Sequence, residues 1–214
     1  MPRTDQTEIL LDPTVELAVI FLSGKFGFDL LILYGSYANG LDNAESDIDM
    51  IGFADVPDFV HESAMIDGHM LDAWIYPVAV MSDISKTMHI LPCRILIDKG
   101  DRGPGLLRRI EEERKRNTKK LSGKEREQMD GWVGKMLRRA GPDGPEARYR
   151  YTWLLNDFPE LYCNYSGIYY DGPIKTIKNI LAGDAELGPL YFGLLGREKD
   201  IKKLEEIYTR LLSR

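Results

Sequence analysis

The chain has 214 residues, of which 43% are hydrophobic, 29% charged and 10% aromatic, a globular composition that excludes wholesale disorder and collagen-like or mucin-like architecture. No apolar run approaches the roughly 18 to 20 residues of a membrane helix, and Arg3, Asp5 and Glu8 deny the N-terminus a signal-peptide core, so a soluble, cytoplasmic protein is expected. The net charge of −6 is uneven: residues 1–100 hold 5 Lys+Arg against 16 Asp+Glu, or −11, while residues 101–214 hold 23 against 18, or +5.

This asymmetry predicts two domains, 1–100 and 101–214, joined at the turn-rich segment 98–105. Asp12-Pro13 opens a first helix as N-cap and first position, and Val15, Ala18, Val19 and Leu22 follow at helical spacing until Gly24. Strands are expected over residues 29–34, 47–53, 69–76 and 94–98, with helical pieces at 36–39 and 78–86. The second half carries no convincing alternating strand. Ser122 and Glu125 form a capping-box pattern for a helix to about Ala140, and further helices are expected over 146–155, 174–181 and 198–212. Cys93 and Cys163 are too few for a metal site or a disulfide framework and are read as small buried groups.

The chemistry is concentrated between Leu33 and Ile51. An apolar strand leads into a Gly35-Ser36 turn, a polar loop and a second strand bearing Asp47 and Asp49. Residues two apart on a strand share a face, so both carboxylates project together while Ile48 and Met50 pack on the other side. Such a pair calls for a proton or a hard cation such as Mg²⁺. The glycine-serine turn offers backbone N–H groups and a hydroxyl suited to phosphate oxygens. Asp72 lies inside the apolar run Met70 to Tyr76, and a charge in mid-strand calls for a partner or a metal. If its strand lies beside the other, Asp72 either shares the metal or takes the proton of an attacking hydroxyl. Two lone strand aspartates would be an ordinary solvated edge; the turn and Asp72 set this pair apart.

Gly35-Ser36, the ten residues 37–46, Asp47-Ile48-Asp49 and the later Asp72 resemble the signature of the DNA polymerase β-type nucleotidyltransferases. The tight form Gly35-Ser-Tyr-Ala-Asn-Gly40 with Ser46-Asp-Ile-Asp49 is similar to the small bacterial members, which include the aminoglycoside and lincosamide enzymes and the minimal antitoxin type. The resemblance covers residues 25–100. It implies an α/β (α+β) nucleotidyltransferase domain with a mixed sheet, followed by an all-α helical bundle. It further implies two Mg²⁺ ions on Asp47 and Asp49, Asp72 as metal ligand or general base, and the triphosphate of ATP or another NTP at Gly35 and Ser36. The implied reaction moves a nucleoside monophosphate, AMP from ATP in the first reading, to a hydroxyl acceptor and releases pyrophosphate. A small aminoglycoside- or lincosamide-like acceptor, and with it antibiotic resistance, is the first expectation, with the acceptor at the junction of the two domains.

Residues 165–175 are similar to an aromatic, Gly/Pro and Lys turn in the helical bundles of antibiotic-modifying relatives, where a basic side chain reaches the nucleotide phosphates. Lys175 is the candidate, with Lys178 on the next turn, though exposed helical lysines are ordinary. His61, His69 and His89 lack ligand spacing and are read as structural or surface residues, His69 facing away from Asp72. The basic run 108–126 is interspersed with glutamates and reads as a solvated helix face. The aromatic residues of 149–170, Phe158 among them, read mostly as core. Net negative charge and the lack of a basic stripe argue against nucleic acid as partner. Two rivals stay open: nucleotidylation of a partner protein, as in antitoxin-like relatives, and a non-catalytic nucleotide-binding regulatory module.

Overall fold

The computed structural model describes residues 11–118, 121–196 and 198–214, and the chain divides into two compact units, Met1–Glu112 and Glu113–Arg214. Helix α1 (Pro13–Ser23) begins where its cap chemistry dictates. The Asp12 carboxylate accepts the Thr14 N–H at 2.8 Å, and Val15, Ala18 and Leu22 form the buried stripe. Five strands follow: β1 (Phe28–Tyr34), β2 (Ile48–Ala54), β3 (Val60–Ile66), β4 (His69–Pro77) and β5 (Arg94–Asp98), in the sheet order β3-β4-β2-β1-β5. Strands β2 and β4 are parallel and every other neighbouring pair is antiparallel, so the sheet is mixed.

Three sequence expectations are corrected here. The second strand starts at Ile48, which leaves Asp47 one residue ahead of it. The helix expected over 78–86 is two short 3₁₀ turns, Val78–Ser82 and Ile84–Lys86. Strand β3 was not expected at all; it forms a hairpin with β4 through Asp67-Gly68, whose φ angles of 49° and 86° suit a two-residue turn.

Both faces of the sheet are covered, which is why β1 is apolar along almost its whole length. On one face Leu31, Leu33, Ile48, Met50, Leu71, Ala73 and Ile75 pack with α1. On the other, Leu30, Ile32, Tyr34, Ile51 and Phe53 pack with Leu106 and Ile110 of α3 (Gly103–Asn117). The Asp98 carboxylate starts α3 by accepting the Arg102 and Gly103 N–H groups, each at 2.9 Å. The turn-rich segment at 98–105 therefore joins β5 to α3, and the units divide further on, within α3, because Leu106 and Ile110 belong to the first core.

The second unit is helical: α4 (Gly123–Ala140), α5 (Pro145–Ser166), α6 (Pro173–Gly183), α7 (Leu187–Leu194) and α8 (Ile201–Leu212). Both halves of the Ser122/Glu125 capping box are made. Helix α5 runs eleven residues beyond its expected end at 155, through the buried Pro159. Phe158 stacks on Tyr191 at 4.6 Å and meets Tyr208 edge-on at 5.6 Å in the core of this unit. Cys163 is buried. Among the described residues, no helix is long and apolar enough to cross a membrane.

Candidate active site

Strand β1 ends at Tyr34, and the next residue, Gly35, turns the chain in the left-handed region at φ 72°. Only glycine suits this position for two reasons. Side chains are strained at that φ, and a Cβ here would overlap the Asp49 carboxylate. The Gly35 backbone is thus pressed directly against Asp49. Ser36 then begins α2 (Ser36–Asn39), a single turn closed by Gly40 in left-handed conformation. So short a helix has little dipole, so any hold on phosphate here comes from individual N–H groups and the Ser36 hydroxyl.

Asp49 and Asp72 are direct partners across the parallel β2–β4 pair, and Tyr34 is the partner of Asp49 across β1–β2. The row Tyr34–Asp49–Asp72 lies on the face that carries Ile51, Phe53 and Tyr76, since the alternate residues Ile48, Met50, Leu71 and Ala73 all pack on the opposite side. Both carboxylates are half-buried. Burial first, and then the charges of Asp49 and Asp72, push the Tyr34 phenol well above its ordinary value. One buried phenol therefore feels both carboxylates, as it would if they faced a common space.

The third carboxylate is placed differently. Asp47 is exposed, just ahead of β2, on a loop held by Asn43 and Ser46. Among the described residues, no group of three or more His, Cys, Asp or Glu is arranged to hold a metal ion. The β2–β4 ladder that sets Asp49 opposite Asp72 begins at Ile48, so Asp47 stands one residue outside that register pair. This donor set still suits magnesium. Mg²⁺ keeps most of its water and is ordinarily held by one or two carboxylates together with substrate phosphates, whereas an all-protein cage suits other metals.

Sequence reasoning missed one member of this row, Tyr34, and two of its neighbours, His61 and His89. His61 on β3 places Nε2 2.5 Å from Asp72 Oδ1, and its ring packs on Trp74 at 5.0 Å. The missing signal was the Asp67-Gly68 hairpin, which sets β3 beside β4. His89 meets Tyr34 edge-on at 5.2 Å, and Tyr34 itself was read only as strand. His69 does face away from Asp72. Its Nδ1 lies 3.0 Å from the Tyr37 hydroxyl and 3.1 Å from the Ser46 carbonyl, fastening α2 and the Asp47 loop to the start of β4.

In the second unit, Lys175 Nζ lies 3.2 Å from Asp171 Oδ2, an oxygen that Arg114 also approaches at 2.9 Å. Lys178 is exposed. Tyr151, Phe158 and Tyr165 are core residues, while Tyr149 and Trp153 are exposed.

No family model and no curated protein matches the chain. Among solved structures it is similar to a nucleotidyltransferase-like protein from Exiguobacterium sibiricum 255-15, at 13% identity and a TM-score of 0.34, over 94% of this chain and 73% of that one.

Proposed function

We propose that this protein is a magnesium-dependent nucleotidyltransferase that moves a nucleoside monophosphate, AMP from ATP in the first instance, onto a hydroxyl acceptor. The observation that carries this reading is the Asp49–Asp72 register pair with the Gly35 backbone against Asp49. The residues that resemble the nucleotidyltransferase signature, Gly35, Ser36, Asp47, Asp49 and Asp72, all lie in the first unit.

In this reading Gly35 and Ser36 hold the triphosphate. The acceptor oxygen attacks the α-phosphorus in line, forming the new P–O bond as the bond to the bridging oxygen breaks and pyrophosphate leaves. Asp72 takes the acceptor's proton. Two Mg²⁺ ions, for which Asp47 and Asp49 together with the substrate phosphates are the candidate ligands, would supply neutralisation of the phosphate charge. A small aminoglycoside- or lincosamide-like acceptor is the first choice, on the sequence resemblance alone.

The test is transfer of label. Purified protein is incubated with each α-³²P-labelled NTP, Mg²⁺ and a panel of hydroxyl-bearing small molecules. Label on a small acceptor with matching pyrophosphate release is the expected result. A labelled protein band would instead assign the acceptor to a partner protein. Nucleotide binding with no pyrophosphate from any acceptor would make the chain a non-catalytic module and overturn the reading.

A further inference from the structure

Asp72 is held by a residue that none of the motif positions includes. His61 and Trp74 are cross-strand partners on β3 and β4, and the His61 ring reaches diagonally past Trp74 to Asp72. The His61 Nε2 to Asp72 Oδ1 contact of 2.5 Å is the only hydrogen bond to the Asp72 side chain among the described residues. Its direction follows from the chemistry, because an ionised carboxylate only accepts and so Nε2–H donates.

From this geometry we infer that His61 is a positioning residue for the reaction: its Nε2–H fixes Asp72 by Oδ1 and leaves Oδ2 as the oxygen offered to the acceptor proton. The inference rests on the nucleotidyl-transfer reading. A carboxylate carried on two rotatable bonds, Cα–Cβ and Cβ–Cγ, and 35% exposed on its side chain, samples several rotamers unless something holds it. A proton acceptor must stand within hydrogen-bond reach of the attacking oxygen, and a displacement of about 1 Å costs about 100-fold. The imidazole lies against Trp74 in a tilted ring contact, 5.0 Å between centres at 39°, and that ring is flanked by Phe59 at 5.4 Å. The chain Phe59–Trp74–His61–Asp72 thus transmits the rigidity of the β3–β4 hairpin to the carboxylate. Partners of this kind around ligating or reacting groups are worth about 10- to 100-fold when removed.

Two variants separate the bond from the ring. His61→Phe keeps an aromatic ring over Trp74 and removes the donor; His61→Gln removes the ring and keeps an N–H of similar reach. The expected kinetics are a kcat lower by about 10- to 100-fold in His61→Phe, an NTP KM within about threefold of the parent, and recovery of most of kcat in His61→Gln. Crystal structures of the metal-free chains give a second readout. Asp72 should occupy one rotamer in the parent and in His61→Gln, and more than one in His61→Phe. An unchanged kcat or an unchanged single rotamer in His61→Phe overturns the inference, as does a His61→Gln chain as impaired as His61→Phe. A fall in melting temperature or failure to fold confined to His61→Phe also overturns it, by making the bond a stability contact. If the parent chain transfers no nucleotide, the reading of function fails, while the metal-free rotamers still decide whether His61 holds Asp72.

Discussion

Asp49 and Asp72 stand directly opposite one another on adjacent parallel strands, both on the face that carries Tyr34. Strands lie about 4.8 Å apart, and like charges directly opposite one another in a sheet are destabilising. In the nucleotidyl-transfer reading, a bound cation offsets this repulsion. The pairing needs both a parallel β2–β4 alignment and an in-phase register, since a shift of one residue would send one carboxylate into the apolar face of Ile48 and Leu71.

The contact between Gly35 and Asp49 can be isolated with a matched pair of substitutions. Gly35 and Gly40 share nearly the same left-handed φ, 72° and 68°, but a Cβ at Gly35 meets Asp49 whereas one at Gly40 meets open space. Gly40→Ala should cost only the backbone strain, about 1 kcal/mol. Gly35→Ala should lose more stability and nearly all transferase activity. Thermal melts and pyrophosphate assays of the two variants check this; equal effects would mean that the carboxylate contact is of no consequence.

Asp72→Ala separates proton transfer from nucleotide binding. The dissociation constant for ATP in the presence of Mg²⁺ should stay within a few-fold of the parent, while kcat falls by about 10² to 10⁴, the usual worth of a general base. Isothermal titration and steady-state kinetics measure the two. Loss of nucleotide binding would make Asp72 chiefly a metal ligand.

The second unit carries its own pH signature. Tyr191 and Tyr208 bury their hydroxyls, donating to the Leu155 and Leu154 carbonyls at 2.9 and 2.6 Å. Burial pushes the Tyr191 phenol up to about 12 and that of Tyr208 well up. In the unfolded chain both titrate near 10, so above that pH the unfolded state releases protons that the folded state keeps, and stability falls as pH rises. The contribution is fully present below about pH 9 and is lost by about 1.4 kcal/mol per phenol for each pH unit between the unfolded and folded values. Urea midpoints should therefore be level in this respect below about pH 9 and drop above about pH 10. A midpoint that holds through that range would contradict the burial of these hydroxyls.

Much of this arrangement was legible in the sequence because it is local. The Asp12 cap, the Ser122/Glu125 box and the apolar strands β1, β2 and β4 each carry their signal within a few residues. Strand β3 escaped because it is an edge strand of mixed polarity, Val-His-Glu-Ser-Ala-Met-Ile, with no uninterrupted apolar face. With β3 unseen, the reach of His61 to Asp72 was invisible, since a diagonal contact depends on register. Helix α7 escaped because Gly188, Pro189 and Gly193 read as breakers, although Gly188 is required by the close approach of the Ile180 carbonyl. Pro159 similarly hid the second half of α5. Asp47 shows the limit of the period-two rule: the spacing from Asp49 is right, but the strand begins between them.

The most direct measurement is the rate of pyrophosphate release by Asp49→Asn against the parent chain, at the same NTP, Mg²⁺ and acceptor concentrations. This exchange keeps the volume of the side chain beside Gly35 and removes its charge. The expected result is a loss of about three orders of magnitude or more with far-UV circular dichroism unchanged; a folded Asp49→Asn chain that turns over at the parent rate would contradict the assignment of Asp49 and Asp72 as the centre of the chemistry.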